Sequence, residues 1–513
     1  MRLFNYFKSD LKSGIVVFLV ALPLCLGIAL AQKAPLFSGI ISGVVGGIVV
    51  ASISGSRLSI SGPAAGLTSI VLTGIATLGS FEAFLLSLFL AGIFQVILSI
   101  VKAGIIGYYI PSSVIKGMLA AIGIILIIKQ IPHMVGYDAD PEGDETFMQA
   151  DGQNSFTELL NMFDYISWGP VIIGVLSLAT LIIWEEKIKH ISFFKIIPAA
   201  LVVVVFSVLT NLAFTYFAPA LQVKEEHMVL LPSIQSVGDL VSNLSFPDFS
   251  KLGSMAIYET AMIIAVVASL ETLLNLEAID KLNPENTISP PNRELFAQGI
   301  GNMISGLIGG LPITSVVVRS SANLAAGGKS QMSSIIHGFL FIIAIFFIPG
   351  VLMSIPLSAL AAILIYTGFK LTSPKIYKSV FKYGRDQFIP FIITISVMLL
   401  TDLLKGVIIG MAAGIIFILR NNYKTPYKLF EEEIEGRKHF FVKFSQQLTF
   451  INKGKITQLL HRVPKGSKLY LDAGQTHFID KDVLELINEF KKSAKYLNIE
   501  VTTEGIQEME TIS

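Results

Sequence analysis

The stretch GSRLSISGPAAGLTSIVLTG (residues 55–74) decides how the chain is read. It leads into a run apolar enough to enter a membrane, yet it places Arg57, four Ser, four Gly and Pro63 where a spanning helix should begin. A helix that starts inside hydrocarbon leaves about four backbone N–H groups without intrahelical partners. Such groups persist there only where a cavity or ligand satisfies them. Bare amides at the positive end of a helix attract anions. The break is therefore expected to be half of an anion pocket, with Pro63 in the first helical turn. Its Gly and Ser residues suit close backbone approach and hydroxyl donation.

Outward from this stretch, apolar runs fall near 14–31, 36–53, 62–78, 81–102, 112–132, 168–184 and 196–217. A second set lies near 254–276, 295–311, 314–327, 331–349, 351–369, 387–402 and 404–420. The third member of each set of seven is broken, the second break being GGLPITSVVVRSSANLAAGG (309–328). Interrupted spans at matching places in two halves mark the binding site of a secondary transporter. The two helix ends are expected to converge near the bilayer midplane.

Composition agrees. Of 513 residues 53% are hydrophobic and 15% charged, against about a quarter charged in soluble domains. Runs of about 18 apolar residues cross about 30 Å of hydrocarbon, so this is a polytopic α-helical membrane protein. Lys and Arg set its orientation. The connections holding Arg57, Lys102, Lys187, Lys281, Lys329 and Lys370 fall on the side of the amino terminus, which is expected to be cytoplasmic, as is the carboxyl terminus. The segment 136–160 has no Lys or Arg and falls on the other side. It lacks the spacing of an EF-hand loop and is read as a solvated extracellular loop. After Arg420, residues 421–436 are charged and linker-like. The alternation HFFVKF, KITQLLHRV, KLYLDAG, DKDVLELINEFKKSAKYL and IEVTTEG predicts a small cytoplasmic α/β domain over 437–513.

A single cysteine, Cys25, excludes an intramolecular disulfide framework and a multi-Cys metal cluster. The seven His are scattered without HxxxH or HExxH spacing, and no Walker loop or dinucleotide fingerprint occurs. No metal, cofactor or enzymatic chemistry is expected; an ion gradient, of Na+ or H+, is the expected drive. Ionisable residues inside spans are expensive and mark pathways. Arg319, about two turns past the second break, adds positive potential to the anion site or pairs with a carboxylate. Glu271, in AVVASLETLLNLEAID, is the acceptor for a coupling proton or sodium ion, a fixed Glu–Arg pair being the plainer alternative. Glu277 and Asp280 are expected at the interface and Glu259 in solvent.

The pieces VALPLCLGIAL (20–30), GSRLSISGPAAGLTSIV (55–71), SLETLL (269–274) and PPNRELFAQGIGNMISGLIGGLPIT (290–314), continuing into VVVRSSANLAAGGKSQ (316–331), resemble the SulP family of anion transporters. LYLDAGQTHFIDKDVLELI (469–487) looks like the STAS domain that follows the membrane domain there. The resemblance implies seven-plus-seven inverted repeats with core and gate domains, elevator-like movement and a homodimer. It implies sulfate, bicarbonate, chloride or small carboxylates as substrate, and a STAS-like domain that meets a cytoplasmic protein. Family pocket positions map onto Leu24 and Ile28, Ala64 beside Gly62-Pro63, and Val317, Val318 and Arg319. With the neighbouring Ala65, Ser315 and Val316 these form the substrate-binding set. The coupling-ion position maps onto Glu271, with Asn275 one turn on. Sodium-coupled bicarbonate members carry Asp where Glu271 stands and a hydroxyl residue where Asn275 stands, a difference that weakens a sodium assignment. Asp480-Lys481-Asp482-Val483 replaces the D-S-S-G turn of related signalling domains, which argues against phosphorylation there.

Overall fold

The structure is a computed structural model describing residues 6–138, 147, 154–188, 197–229, 244–285, 287–347, 349–424, 426–434 and 436–506. Two compact units divide at Met411/Ala412. The first contains helices α1 (Phe7–Ala31), α2 (Leu36–Ile53), α3 (Thr68–Leu78), α4 (Phe81–Ile100), α5 (Ser112–Met134), α6 (Trp168–Glu186) and α7 (Ala199–Phe217). It continues with α8 (Met255–Leu282), α9 (Pro291–Ile308), α10 (Val317–Ala325), α11 (Met332–Phe347), α12 (Leu357–Leu371), α13 (Arg385–Leu400) and the start of α14 (Leu403–Lys424). Fourteen helices thus stand where fourteen apolar runs were read. Nine helices among the described residues are long and apolar enough to cross a membrane unaided. The broken α10 is too short to do so, and α9 carries too many polar groups.

Packing repeats under a shift of seven helices. α1 packs on α11 as α8 packs on α4; α1 meets α10 as α8 meets α3; α9 lies along α4 as α2 lies along α11. In the other group α13 packs on α5 as α6 packs on α12, with α5 and α12 joined directly. α1–α4 and α8–α11 therefore form one helix group, and α5–α7 with α12–α14 the other, the division expected of core and gate.

Most of the acidic segment 136–160 lies outside the described residues. Its described ends are not simply solvated. Glu158 is buried and pairs with Lys129 of α5 at 3.6 Å. Asp138 bridges His133 Nδ1 (2.6 Å) and His227 Nδ1 (2.5 Å). Burial works to raise the Asp138 pKa, but the bonds and charges of the two imidazoles prevail and hold it below the usual carboxylate range. At the other end of α8, Glu277 pairs with Lys281 at 3.2 Å and Asp280 accepts from Ser289.

In the second unit β3 (Tyr427–Ile434), β4 (Arg437–Phe444), β6 (Lys468–Asp472) and β8 (Glu500–Glu504) form one sheet in that order. The first pair is antiparallel and the others parallel. A two-residue pair, β5 (Gln447–Leu448) with β7 (Phe478–Ile479), stands apart. Helices α15 (Lys453–Arg462) and α16 (Lys481–Ala494) bury Ile456, Leu459, Val483 and Ile487 with Val442 and Leu471 of the sheet. Asp480 caps α16, accepting from Asp482 N at 3.0 Å. The linker read at 421–436 needs correcting: its residues complete α14 and form β3, a strand whose exposed Glu431–Glu433 run disguised it as a tether.

Candidate functional site

Both broken segments become short strands that pair with each other. β1 (Ser61–Pro63) runs antiparallel to β2 (Ile313–Ser315) in the register Ser61↔Ser315, Gly62↔Thr314, Pro63↔Ile313. The ladder closes at each end through Ala64 N to Pro312 O (3.0 Å) and Val316 N to Ile60 O (2.9 Å). Because the strands run oppositely, the helices they feed leave in opposite directions. α3, entered through a 3-10 turn at Ala65–Leu67, and α10, from Val317, therefore begin beside one another. Their first N–H groups lack intrahelical partners.

This geometry corrects three expectations. Pro63 ends a strand rather than opening a helix, a place where its missing N–H costs nothing because the ladder bond passes to Ala64. Arg319 is the third residue of α10, within the first turn, since the helix starts at Val317 and not at the Leu311-Pro312 break. The serine hydroxyls, expected as donors to a ligand, brace the strands. Ser59 Oγ meets Ser315 Oγ at 2.7 Å, Ser61 Oγ accepts from Gln298 Nε2 at 2.7 Å, and Ser320 Oγ accepts from Ile60 N at 2.8 Å.

The frame that holds the strands comes chiefly from α9 and α8. Asn302 donates to Ile313 O (3.0 Å) and accepts from Ile313 N (2.6 Å), and also donates to Gln95 Oε1 (2.7 Å). Gln298 links Ser61 to Glu294, whose other oxygen accepts from Ser54. Ser305 Oγ donates to Leu311 O (2.7 Å), and Ser42 Oγ accepts from Leu311 N (2.6 Å). From α8, Asn275 Nδ2 donates to Ser315 O (2.6 Å), and Ser315 N reaches Thr272 Oγ1 at 3.4 Å. None of Glu294, Gln298, Asn302, Ser305, Thr272 or Ser42 was nominated from the sequence. The signal was present on α9: spacings of 4, 4 and 3 residues put four polar groups on one face of a helix.

The nominated residues do converge. Ile28 packs with Ala65 and Leu311, and Leu24 belongs to the buried cluster that includes Val317 and Val318. Ala64 is wholly buried and Val316 partly so. Arg319 is 0% exposed, and none of its guanidinium nitrogens has a hydrogen-bond partner among the described residues. Its Nη1 lies so close to the Gly62 backbone that a methyl group there would overlap it. Glu271 lies against Gly66 instead: a methyl there would stand 3.1 Å from its carboxyl atoms. The two charges thus approach the same break four residues apart, and Arg319 donates no hydrogen bond to Glu271.

Arg319 thus stands in the first turn of α10, beside the opposed start of α3. Residues 7–394 match the Sulfate permease family. YvdB of Bacillus subtilis is 25% identical over 513 residues, covering 98% of this chain and 92% of that protein. The bicarbonate transporter BicA of Picosynechococcus sp. is 26% identical over 420 residues, covering 80% and 69%. The fold matches the transmembrane domain of a cyanobacterial BicA (TM-score 0.56, 21% identity, 80% of this chain and 98% of that one). It also matches the murine Solute Carrier 26 family member A9 anion transporter in the inward-facing state (TM-score 0.69, 15% identity, 98% and 86%). The chain belongs to the sulfate permease family of anion transporters.

Proposed function

We propose that the protein is a secondary active transporter of inorganic anions, with bicarbonate or sulfate as cargo, working by elevator-type alternating access. The observation that carries this is the β1–β2 pair, which sets two half-helix starts beside an Arg319 whose nitrogens find no oxygen or nitrogen acceptor among the described residues. Leu24 and Val318 are apolar, so recognition falls to backbone N–H groups and Arg319, which suits a small symmetric oxyanion. The group α1–α4 with α8–α11 is the moving body. A cleft of about 60 Å³ separates it from the other group, lined by Lys12 and Val16 of α1, Ala322 and Ala325 of α10, and Ile363 and Lys370 of α12. The side holding it is rich in Lys and Arg, which supports placing both termini in the cytoplasm of a cell membrane. There the α/β unit acts as a STAS-like module for a cytoplasmic partner of a homodimer.

Glu271 is the coupling-ion site, for Na+ or H+, with Asn275 held by Ser315 beside it. Uptake of labelled sulfate and bicarbonate into proteoliposomes, with and without sodium and pH gradients, tests the reading. Gradient-dependent accumulation is expected, and Glu271→Gln should reduce accumulation more than exchange. A large uncoupled conductance would make the protein a channel; fumarate uptake in place of either oxyanion would make it a dicarboxylate symporter.

A further inference from the structure

Between α12 and α13 the chain forms one further helix, Pro374–Lys382, capped at its start by Ser373. Its sequence PKIYKSVFK sorts by face. Ile376, Tyr377 and Val380 turn inward: Val380 is buried, and the Tyr377 ring stands edge-on to Phe391 of α13 at 5.3 Å. Lys375, Lys378 and Lys382 share the opposite face and are exposed. Phe381 and Tyr383 are exposed beside them, Phe381 edge-on to Phe388 at 5.2 Å. A helix of this length covers only about 14 Å, so it cannot cross hydrocarbon. Joining the ends of two spans, it lies at a membrane surface.

Lysines at the end of a span help to orient it, but that needs only their charge, not a common face. Other basic residues of the same side have carboxylate neighbours: Arg57 has Glu285 at 3.7 Å, Lys281 has Glu277 at 3.2 Å and Lys370 has Glu185 at 3.7 Å. No carboxylate among the described residues pairs with Lys375, Lys378 or Lys382, and residues 357–385 contain no Asp or Glu. Lys116 of α5 adds to the same patch, its ammonium 5.0 Å from the centre of the Tyr383 ring.

We infer that this helix is a docking surface for anionic phospholipid headgroups, its lysines meeting phosphate and its exposed rings resting where headgroups give way to acyl chains. Charge complementarity selects the occupant: from Lys370 to Arg385 the chain carries five cations and no anion. Lysines at a membrane surface are drawn to anionic lipid within a Debye length. An acidic protein could meet the same charge, but aromatic rings at the level of the lipid surface favour lipid. The helix belongs to the group α5–α7 with α12–α14, so bound lipid holds that group in place while the other moves. That consequence, unlike the binding itself, rests on the transport reading.

The test uses the full chain in detergent micelles, titrated with dye-labelled phosphatidylglycerol and with phosphatidylcholine carrying the same dye. Phosphatidylglycerol should bind on the order of 100-fold tighter, and less so as salt rises. Changing Lys375→Gln, Lys378→Gln and Lys382→Gln together should remove the preference, each lysine alone contributing about fivefold. The single Lys378→Gln variant keeps the test open if the triple one does not fold. Lys428→Gln, Lys438→Gln and Lys443→Gln, which take the same charge from the second unit, should leave the preference intact. No preference in wild type, a preference that survives the triple change, or an equal loss in the second-unit control overturns the proposal. So does an acidic protein that copurifies with wild type and leaves the triple variant while phosphatidylglycerol binding persists. Sulfate uptake is read separately, so a failure of the transport reading leaves the lipid result standing.

Discussion

Arg319→Met separates stability from function in an unusual direction. Most buried charges stabilise through a partner, so their removal costs 3–5 kcal/mol or so. Arg319 is 0% exposed, and among the described residues no oxygen or nitrogen accepts from its Nε, Nη1 or Nη2, so the anion-free protein already bears most of the desolvation penalty. Methionine keeps much of the length and brings no donor. Replacing buried ionic groups by apolar residues of similar volume commonly stabilises by about 1–4 kcal/mol, and imperfect filling returns roughly 1 kcal/mol. The anion-free variant should therefore be more stable than anion-free wild type by about 1–3 kcal/mol. Sulfate at 100 times Kd should add about 2.7 kcal/mol to wild type and nothing to the variant. Thermal unfolding in detergent, scanned across sulfate concentration, reads both effects. If Arg319→Met melts well below anion-free wild type and still responds to sulfate, the guanidinium has a permanent partner, and the assignment of Arg319 to the anion is wrong.

Gly62→Ala places a methyl on Arg319 Nη1 and should cost about 1–3 kcal/mol by overpacking. In an Arg319→Met background most of that cost should vanish; additive melting shifts in the double-mutant cycle would show that the two do not touch. Asn302→Leu strips hydrogen bonds from Ile313 N, Ile313 O and Gln95 Oε1, and should destabilise by about 3 kcal/mol or more while abolishing uptake; retained transport would mean that the strand pair holds itself together. Asp138→Asn should cost about 2 kcal/mol near neutral pH. The folded Asp138 carboxyl titrates below its unfolded value of about 3.9, so its contribution is complete above that value and fades as pH falls through the folded one. Melting curves of wild type and variant should still differ near pH 4 and converge only as pH falls through the folded value; a gap that persists below it would show the site to be held by packing rather than by charge.

The sequence announced the fourteen helices because the period of apolar runs is a property of single segments. It also located both breaks, since Gly-Pro and Leu-Pro within apolar runs have few structural uses. What it hid were partners. Nothing local in SISGP or PITSV says that Ser61 will lie opposite Ser315, because a three-residue strand is specified by its distant mate. The role of the hydroxyls was misread for the same reason: Ser59 and Ser61 look like donors for a ligand until Ser315 and Gln298 arrive to engage them. Strand β3 was missed because Lys428 to Ile434 are all exposed, with Glu and Lys on both faces, and an edge strand so charged is hard to tell from a tether.

The two repeats share a backbone plan but divide the chemistry. The second repeat supplies both ionisable side chains, Arg319 from the first turn of α10 and Glu271 from α8. The first repeat answers with glycine: Gly62 under the guanidinium and Gly66 under the carboxylate. Those glycines are not there for positive backbone angles, for neither has one. They are there because any side chain would occupy the space a charged group from the other half needs. The cation and the carboxylate thus reach one break four residues apart, each over a glycine of the other half. Charge therefore comes from one repeat and the room for it from the other, Gly62 on the strand and Gly66 in the 3-10 turn that follows it.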